Sequence, residues 1–160
     1  MSFCLNLRIL IIPMVLVLLS TTQILWAQEF VRLESPHDMV IESDVKEIDL
    51  WFKIQDGYYI QADQPTVEWV IPTRVTISST LALGTVQFPS GYELPWPDTS
   101  GSMLVFKDQM RLKIPLLDTI EPGVYHLNGI LYYQACDRVK CYFPRELAFE
   151  IRIEAIPINK

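Results

Sequence analysis

Tyr132-Tyr133-Gln134-Ala135-Cys136-Asp137-Arg138-Val139-Lys140-Cys141-Tyr142-Phe143-Pro144 joins two long extended runs near the end of the chain. Before it, Val124 to Gln134 has no helical period. After it, Leu147, Phe149, Ile151 and Ile153 alternate with Glu146, Ala148, Glu150, Arg152 and Glu154, the period-two pattern of a half-buried strand. Cys136 ends one run, and Cys141 stands close to the start of the next. The four residues between them, three of them charged, read as a hairpin tip with the cysteines facing each other across its neck.

The same alternation recurs upstream. In Val45 to Ile54, the residues Ile48, Leu50, Phe52 and Ile54 share one face, and Glu47, Asp49, Trp51 and Lys53 share the other. Met110, Leu112, Ile114 and Leu116 alternate with Arg111, Lys113 and Pro115. Shorter extended stretches are expected at 30–33, 39–41, 58–60, 66–70, 74–78 and 85–88. Turns are expected at Ser35-Pro36-His37-Asp38, Gln55-Asp56-Gly57 and Glu121-Pro122-Gly123. Residues 89–101 carry Pro89, Gly91, Pro95, Pro97 and Gly101 and read as a long functional loop bearing Tyr92, Trp96 and Asp98. Eight or nine strands and no amphipathic helix give an all-β class, an antiparallel β-sandwich.

The chain has 160 residues, enough for one cored domain. Residues 1–27 have the form of a secretory signal peptide: Arg8, then the apolar run Ile9 to Leu19, a polar patch, and Ala27 as the residue to cut after. The rival reading is an uncleaved N-terminal anchor, although eleven apolar residues are short for a bilayer. Residues 28–160 form the domain. Without Arg8 it carries 12 basic and 19 acidic residues, a net charge of −7, which argues against nucleic-acid binding. Cys4 leaves with the leader, so Cys136 and Cys141 are the exported pair and suggest one intramolecular bridge. His37 and His126 lie far from them in sequence, a weak case for zinc. No metal or cofactor is expected.

The pair has two readings. A plain stabilising disulfide closing so short a loop contributes only about 2 kcal/mol. Thiol–disulfide exchange needs a thiolate, a second sulfur in reach and access for a partner sulfur. Arg138 and Lys140 favour the thiolate, and Asp137 opposes it. Tyr132, Tyr133, Tyr142 and Phe143 are ordinary strand aromatics by default, packed in the core or across strands. The alternative places Tyr133, Tyr142 and Phe143 in contact with a partner. Trp96, Tyr58 and Tyr59 either fold onto the core or shield the pair.

Tyr133-Gln134-Ala135-Cys136-Asp137, with Cys141 and Pro144, resembles the signature of the N-terminal periplasmic domain of the bacterial thiol:disulfide interchange protein DsbD. Ile54-Gln55-Asp56-Gly57-Tyr58-Tyr59-Ile60 is similar to that domain's first strand and turn. Pro72-Thr73, Phe88-Pro89 and the strand at 110–116 fit its layout. The resemblance implies an immunoglobulin-like sandwich in which Cys136 and Cys141 cycle between dithiol and disulfide, with Cys136 as the attacking residue. It implies thioredoxin-fold partners in the periplasm, of the disulfide isomerase or cytochrome c maturation type. It also implies a separate membrane electron donor, because residues 28–160 hold the sandwich alone. It makes Tyr59 an aromatic near the site and 89–101 the counterpart of a cap loop. Two departures stand out. The segment Glu93-Leu94-Pro95-Trp96-Pro97-Asp98 replaces an acidic pair followed by Phe, and Gln61 replaces a second aromatic. The alternative class is a non-catalytic immunoglobulin-like binding module with a permanent disulfide. A third is a subunit that supplies only the sandwich to a larger assembly.

Overall fold

The computed structural model describes residues 29–95 and 101–158; the expected leader and Trp96 lie outside them. The described residues form eleven strands in three sheets and no helix. The first sheet has the order β1 (Val31–Leu33), β3 (Glu47–Ile54), β8 (Gln109–Pro115). The second has the order β2 (Asp38–Glu42), β11 (Arg145–Ile156), β9 (Gly123–Tyr133), β5 (Arg74–Ser79). The third has the order β10 (Ala135–Cys136), β4 (Tyr59–Gln61), β7 (Ser102–Lys107), β6 (Tyr92–Pro95). All pairs are antiparallel except β2 with β11, a parallel pair that the alternation of single strands does not encode.

The first two sheets pack face to face. Ile48, Leu50, Phe52 and Ile54 are all buried on the inner face of β3, and Met110, Leu112 and Ile114 are buried beside them on β8. They meet Leu127 and Leu131 of β9 and Phe149, Ile151 and Ile153 of β11 in one cluster. The Phe52 and Phe149 rings touch edge to face at 5.4 Å. Phe149 lies opposite Gly129 in the β9–β11 ladder, and a Cβ added to Gly129 would stand 2.2 Å from the ring. The outer face of β3 and β8 carries the expected polar set. There Arg111 makes a bidentate bond to Asp49 and lies over the Trp51 ring, and Lys113 pairs with Glu47.

The third sheet is made where chains of the sandwich bend over its end. Chain β3 turns at Gln55–Tyr58, with Gly57 at φ 84° and the Tyr58 amide donating to the Gln55 carbonyl, and re-emerges as β4. Between β7 and β8 a single residue, Asp108 at φ 60°, redirects the chain, a left-handed position that Asp tolerates. At Gln134, β9 leaves its sheet and becomes β10. The cysteine pair therefore sits at the end of the sandwich.

Three sequence expectations change here. Residues 66–70 form turns rather than a strand: the segment crosses over the third sheet, with Val70 buried and Thr66 donating to the Ser102 carbonyl. Residues 85–88 pair only through the isolated bridge Gln87–Lys113. Within 89–101, Tyr92–Pro95 is an edge strand on β7 and not loop, its Pro95 tolerated because an edge leaves the missing donor unneeded. Strand β7 carries the apolar run Met103-Leu104-Val105-Phe106, which has no alternation because three of its four side chains are buried.

Candidate functional site

Cys136 is placed by β10, which pairs with β4 so that Cys136 stands opposite Tyr59 and Ala135 opposite Ile60. Its chain then reverses. The Asp137 amide donates to the Lys140 carbonyl at 2.9 Å, and Cys141 returns as the bridge partner of Cys136. The two sulfurs are bonded as a disulfide, with the Cα atoms 3.9 Å apart.

Asp137 organises the tip. Its Oδ1 accepts from the Val139 amide at 2.7 Å and the Lys140 amide at 2.8 Å, an Asx-type turn. Its Oδ2 accepts from the Tyr142 hydroxyl at 2.8 Å. These donors, the Lys140 amide foremost, hold the Asp137 carboxyl below the usual carboxylate range. The Asp137 carbonyl accepts from the Tyr59 hydroxyl. Burial, with the Asp137 charge second, pushes the Tyr59 phenol up to about 12. The hydrogen bond to Asp137 is the main reason that Tyr142 is also raised. Asp137 thus fastens the tip through four donors, three on its carboxylate and one on its backbone carbonyl.

Gln134 ties the base. Its Nε2 donates to the Tyr142 carbonyl at 3.2 Å, and its Oε1 accepts from the Ile71 amide at 3.0 Å. The Tyr142 amide donates to the Ala135 carbonyl. Behind the tip, Phe30, Tyr58 and Tyr142 form a ring cluster with centroids 4.7–5.9 Å apart, and Lys140 lies 4.9 Å over the Tyr142 ring.

The two sulfurs differ in depth. Cys136 is fully buried in a small apolar cluster with Tyr59, Val70, Met103 and Val105. Cys141 lies at its margin with Val67 and Leu94, partly exposed. The assignment of attack to Cys136 thus meets an obstacle, since its sulfur is covered by β4, β7 and the 62–73 segment. Gln61, noted in the sequence only as a replaced aromatic, is also fully buried, and its Nε2 donates to Cys136 Sγ at 3.2 Å.

The expected aromatics separate. Tyr59 is buried at the pair, and Tyr58 is half-buried one layer behind it. Tyr133, expected as a partner contact, is a core residue at 3% exposure, its phenol raised chiefly by burial. Tyr142 is half-buried and engaged with Asp137. Phe143 is 91% exposed, and Val139 on the tip is 86% exposed. The histidines stand apart: His37, just before β2, bonds the Glu150 carbonyl, and His126 on β9 bonds the Glu150 carboxylate. Met103, Val105 and Val70 were not singled out in the sequence, since nothing in their spacing ties them to a cysteine some 30 or more residues later.

Among curated protein sequences none matches this chain. Among solved structures, the reduced N-terminal domain of DsbD from Neisseria meningitidis is 24% identical, with 66% of this chain and 76% of that one covered and a TM-score of 0.44. The complex between the DsbD N-terminal and PilB N-terminal domains from the same organism is 20% identical, covers 80% and 87%, and has a TM-score of 0.51. The N-terminal periplasmic domain of ScsB from Proteus mirabilis is 17% identical, covers 76% and 44%, and has a TM-score of 0.45. The second of these shows a shared immunoglobulin-like all-β sandwich. The family model of the thiol:disulfide interchange protein DsbD, N-terminal, matches residues 27–152, from the expected cleavage point into the last strand and across both cysteines. This chain belongs to the DsbD N-terminal domain family.

Proposed function

We propose that this domain is a periplasmic thiol–disulfide interchange module that carries two electrons in a reversible Cys136–Cys141 disulfide. Residues 1–27 act as its export signal. Its partners are thioredoxin-fold proteins, with a separate membrane protein as electron source. The observation that carries the reading is the asymmetry of the pair: a disulfide on a hairpin tip, with one sulfur reachable and the other buried.

That asymmetry supports one order of steps. A partner thiolate meets Cys141 first and forms the mixed disulfide there, and Cys136 departs as the leaving sulfur. In the reverse direction, the Cys141 thiolate attacks a partner disulfide and Cys136 resolves the adduct. Exposed Phe143 and Val139 flank Cys141 and offer apolar area for docking. The Neisseria DsbD domain is known in complex with a PilB domain. By family membership, a thioredoxin-fold partner is the corresponding reading here.

The test uses Cys136→Ala, in which the remaining Cys141 thiol forms an adduct that cannot be resolved. We expect a thioredoxin-fold protein to be trapped from periplasmic extract by Cys136→Ala and not by Cys141→Ala. Trapping of no such protein by either variant, together with a wild-type reduction potential well below the glutathione range, would mean that the disulfide is permanent. A binding module with a structural bridge would share the burial of Cys136, and the potential decides between the two readings.

A further inference from the structure

Building on the interchange reading, we infer that Gln61 is a redox-tuning residue whose buried side-chain amide stabilises the leaving sulfur of Cys136 and so favours the reduced pair. Gln61 sits on β4 with its side chain fully buried. Its backbone is fixed on both sides: its amide donates to the Gln134 carbonyl, and its carbonyl accepts from the Thr73 hydroxyl. The buried side chain lies against Cys136, where Nε2 donates to Sγ at 3.2 Å. Its Oε1 is buried without a partner among the described residues.

A buried amide oxygen with no donor destabilises the state in which it occurs. In the disulfide, Cys136 Sγ has no hydrogen to offer, so the orphan belongs to the oxidised form. Reduction changes both halves of the contact. A partner dithiol supplies the electrons: its thiolate bonds to Cys141 Sγ, the Cys136–Cys141 bond breaks, and the bonding pair departs on Cys136 Sγ. At that moment the Nε2–H bond faces a full negative charge and becomes a charge-assisted bond. When the proton given up by the partner reaches Cys136, the new S–H is a donor for Oε1, after a small rotation of the amide. The partner's second thiolate then attacks its own sulfur in the mixed disulfide and releases Cys141, which takes the second proton, and the partner leaves as a disulfide. Each reduced form gives Gln61 something the disulfide lacks: the Cys136 thiolate strengthens the bond from Nε2, and the Cys136 thiol supplies a donor to Oε1. A hydrophobic residue here would fill the space and leave the equilibrium untuned.

The experiment measures the equilibrium of wild type and Gln61→Met against glutathione and dithiothreitol buffers. Methionine keeps the length and bulk and removes both polar atoms. We expect the equilibrium constant for reduction to fall about tenfold, which is a potential about 30 mV more negative, with a parallel slowing of reduction by dithiothreitol. A folded Gln61→Met protein within twofold of wild type would overturn the inference and leave the interchange reading intact. A wild-type disulfide that resists reduction across these buffers would bring down both. A second measurement needs no substitution: on reduction, the side-chain amide resonances of Gln61 shift, while those of Gln134, bonded to backbone and not to sulfur, shift much less. Equal movement of the two overturns the inference.

Discussion

The difference in depth between the two sulfurs predicts a difference in reactivity between single-cysteine variants. In Cys136→Ala the remaining Cys141 thiol is partly exposed, and in Cys141→Ala the remaining Cys136 thiol is covered. For a reagent to reach Cys136 the tip must lift. That breaks the bond from the Tyr59 hydroxyl to the Asp137 carbonyl and the bond from Gln61 to Sγ, each about 1 kcal/mol net. It also re-exposes a small apolar side chain at about 1 kcal/mol more. An opening cost of about 3 kcal/mol is roughly a hundredfold. The assay is alkylation by a maleimide, each rate divided by that of the same variant in denaturant so that differences in thiol acidity from sequence neighbours cancel. Cys141 should retain most of its unfolded rate, and Cys136 should be slowed about a hundredfold. The lost bridge does not confuse the result, because a loop this short contributes only about 2 kcal/mol. If Cys136 in Cys141→Ala reacts within about fivefold of its unfolded rate, the cover formed by Tyr59, Val70, Met103 and Val105 does not protect it, and the order of attack proposed above is wrong.

Four further outcomes follow from the same contacts. Phe143→Ser should slow exchange with a protein dithiol while leaving reduction by dithiothreitol unchanged, because only a large partner covers the exposed ring; equal slowing of both reactions would place Phe143 outside the docking surface. The Asp137 carboxyl is held low by its donors, so its contribution to tip closure is present above the unfolded carboxylate range and is lost as pH falls through the folded value; reduction by a phosphine should accelerate in acid, and a flat profile contradicts the fastening. The phenols of Tyr59, Tyr133 and Tyr142 are raised, that of Tyr59 to about 12; their contribution to stability is complete below the unfolded phenol range and is lost as pH rises through the folded values, so urea midpoints should hold up to about pH 9.5 and drop beyond pH 10. Gly129→Ala drives a methyl into the Phe149 ring and should cost about 2–3 kcal/mol, some 8–12 °C in Tm for a domain of this size; Phe149→Leu in the same chain should recover part of it, and no recovery would relocate the strain.

Much of the sandwich was legible because its long strands bury one face only. Ile48, Leu50, Phe52 and Ile54 could be assigned inward from spacing alone, and so could Met110, Leu112 and Ile114. Where both faces are covered, the signal fades. Met103 to Phe106 on β7 is an apolar run without period. Strand β6, an exposed edge, was missed for another reason: the prolines and glycine around it look like loop. The segment 66–70 failed for the opposite reason. Val67 and Val70 have strand propensity, but they are spent on covering Cys136, and the backbone there turns rather than pairs. Propensity reports that a side chain wants burial; it does not report what the side chain is buried against.

The same limit governs the site. Spacing showed that Cys136 and Cys141 could reach each other, because reach is a local property of six consecutive residues. Depth is not local. It is set by β4, β7 and the crossing segment, whose residues lie about 30 to 77 positions away in the chain. A hairpin tip read alone looks exposed at both sulfurs, so spacing leaves the order of attack open and only the resemblance pointed to Cys136. The fold breaks it by docking one side of the tip against Tyr59 and Gln61 and leaving Cys141 at the rim. Such an asymmetry suits exchange chemistry. If both sulfurs were open, a partner could attack either, and half of the encounters would leave the wrong residue to resolve the adduct. With one sulfur buried beside an amide donor, the proposed exchange gives entry and departure each a fixed place. Gln61, where the resemblance led us to expect an aromatic, stands at the buried end of the pair.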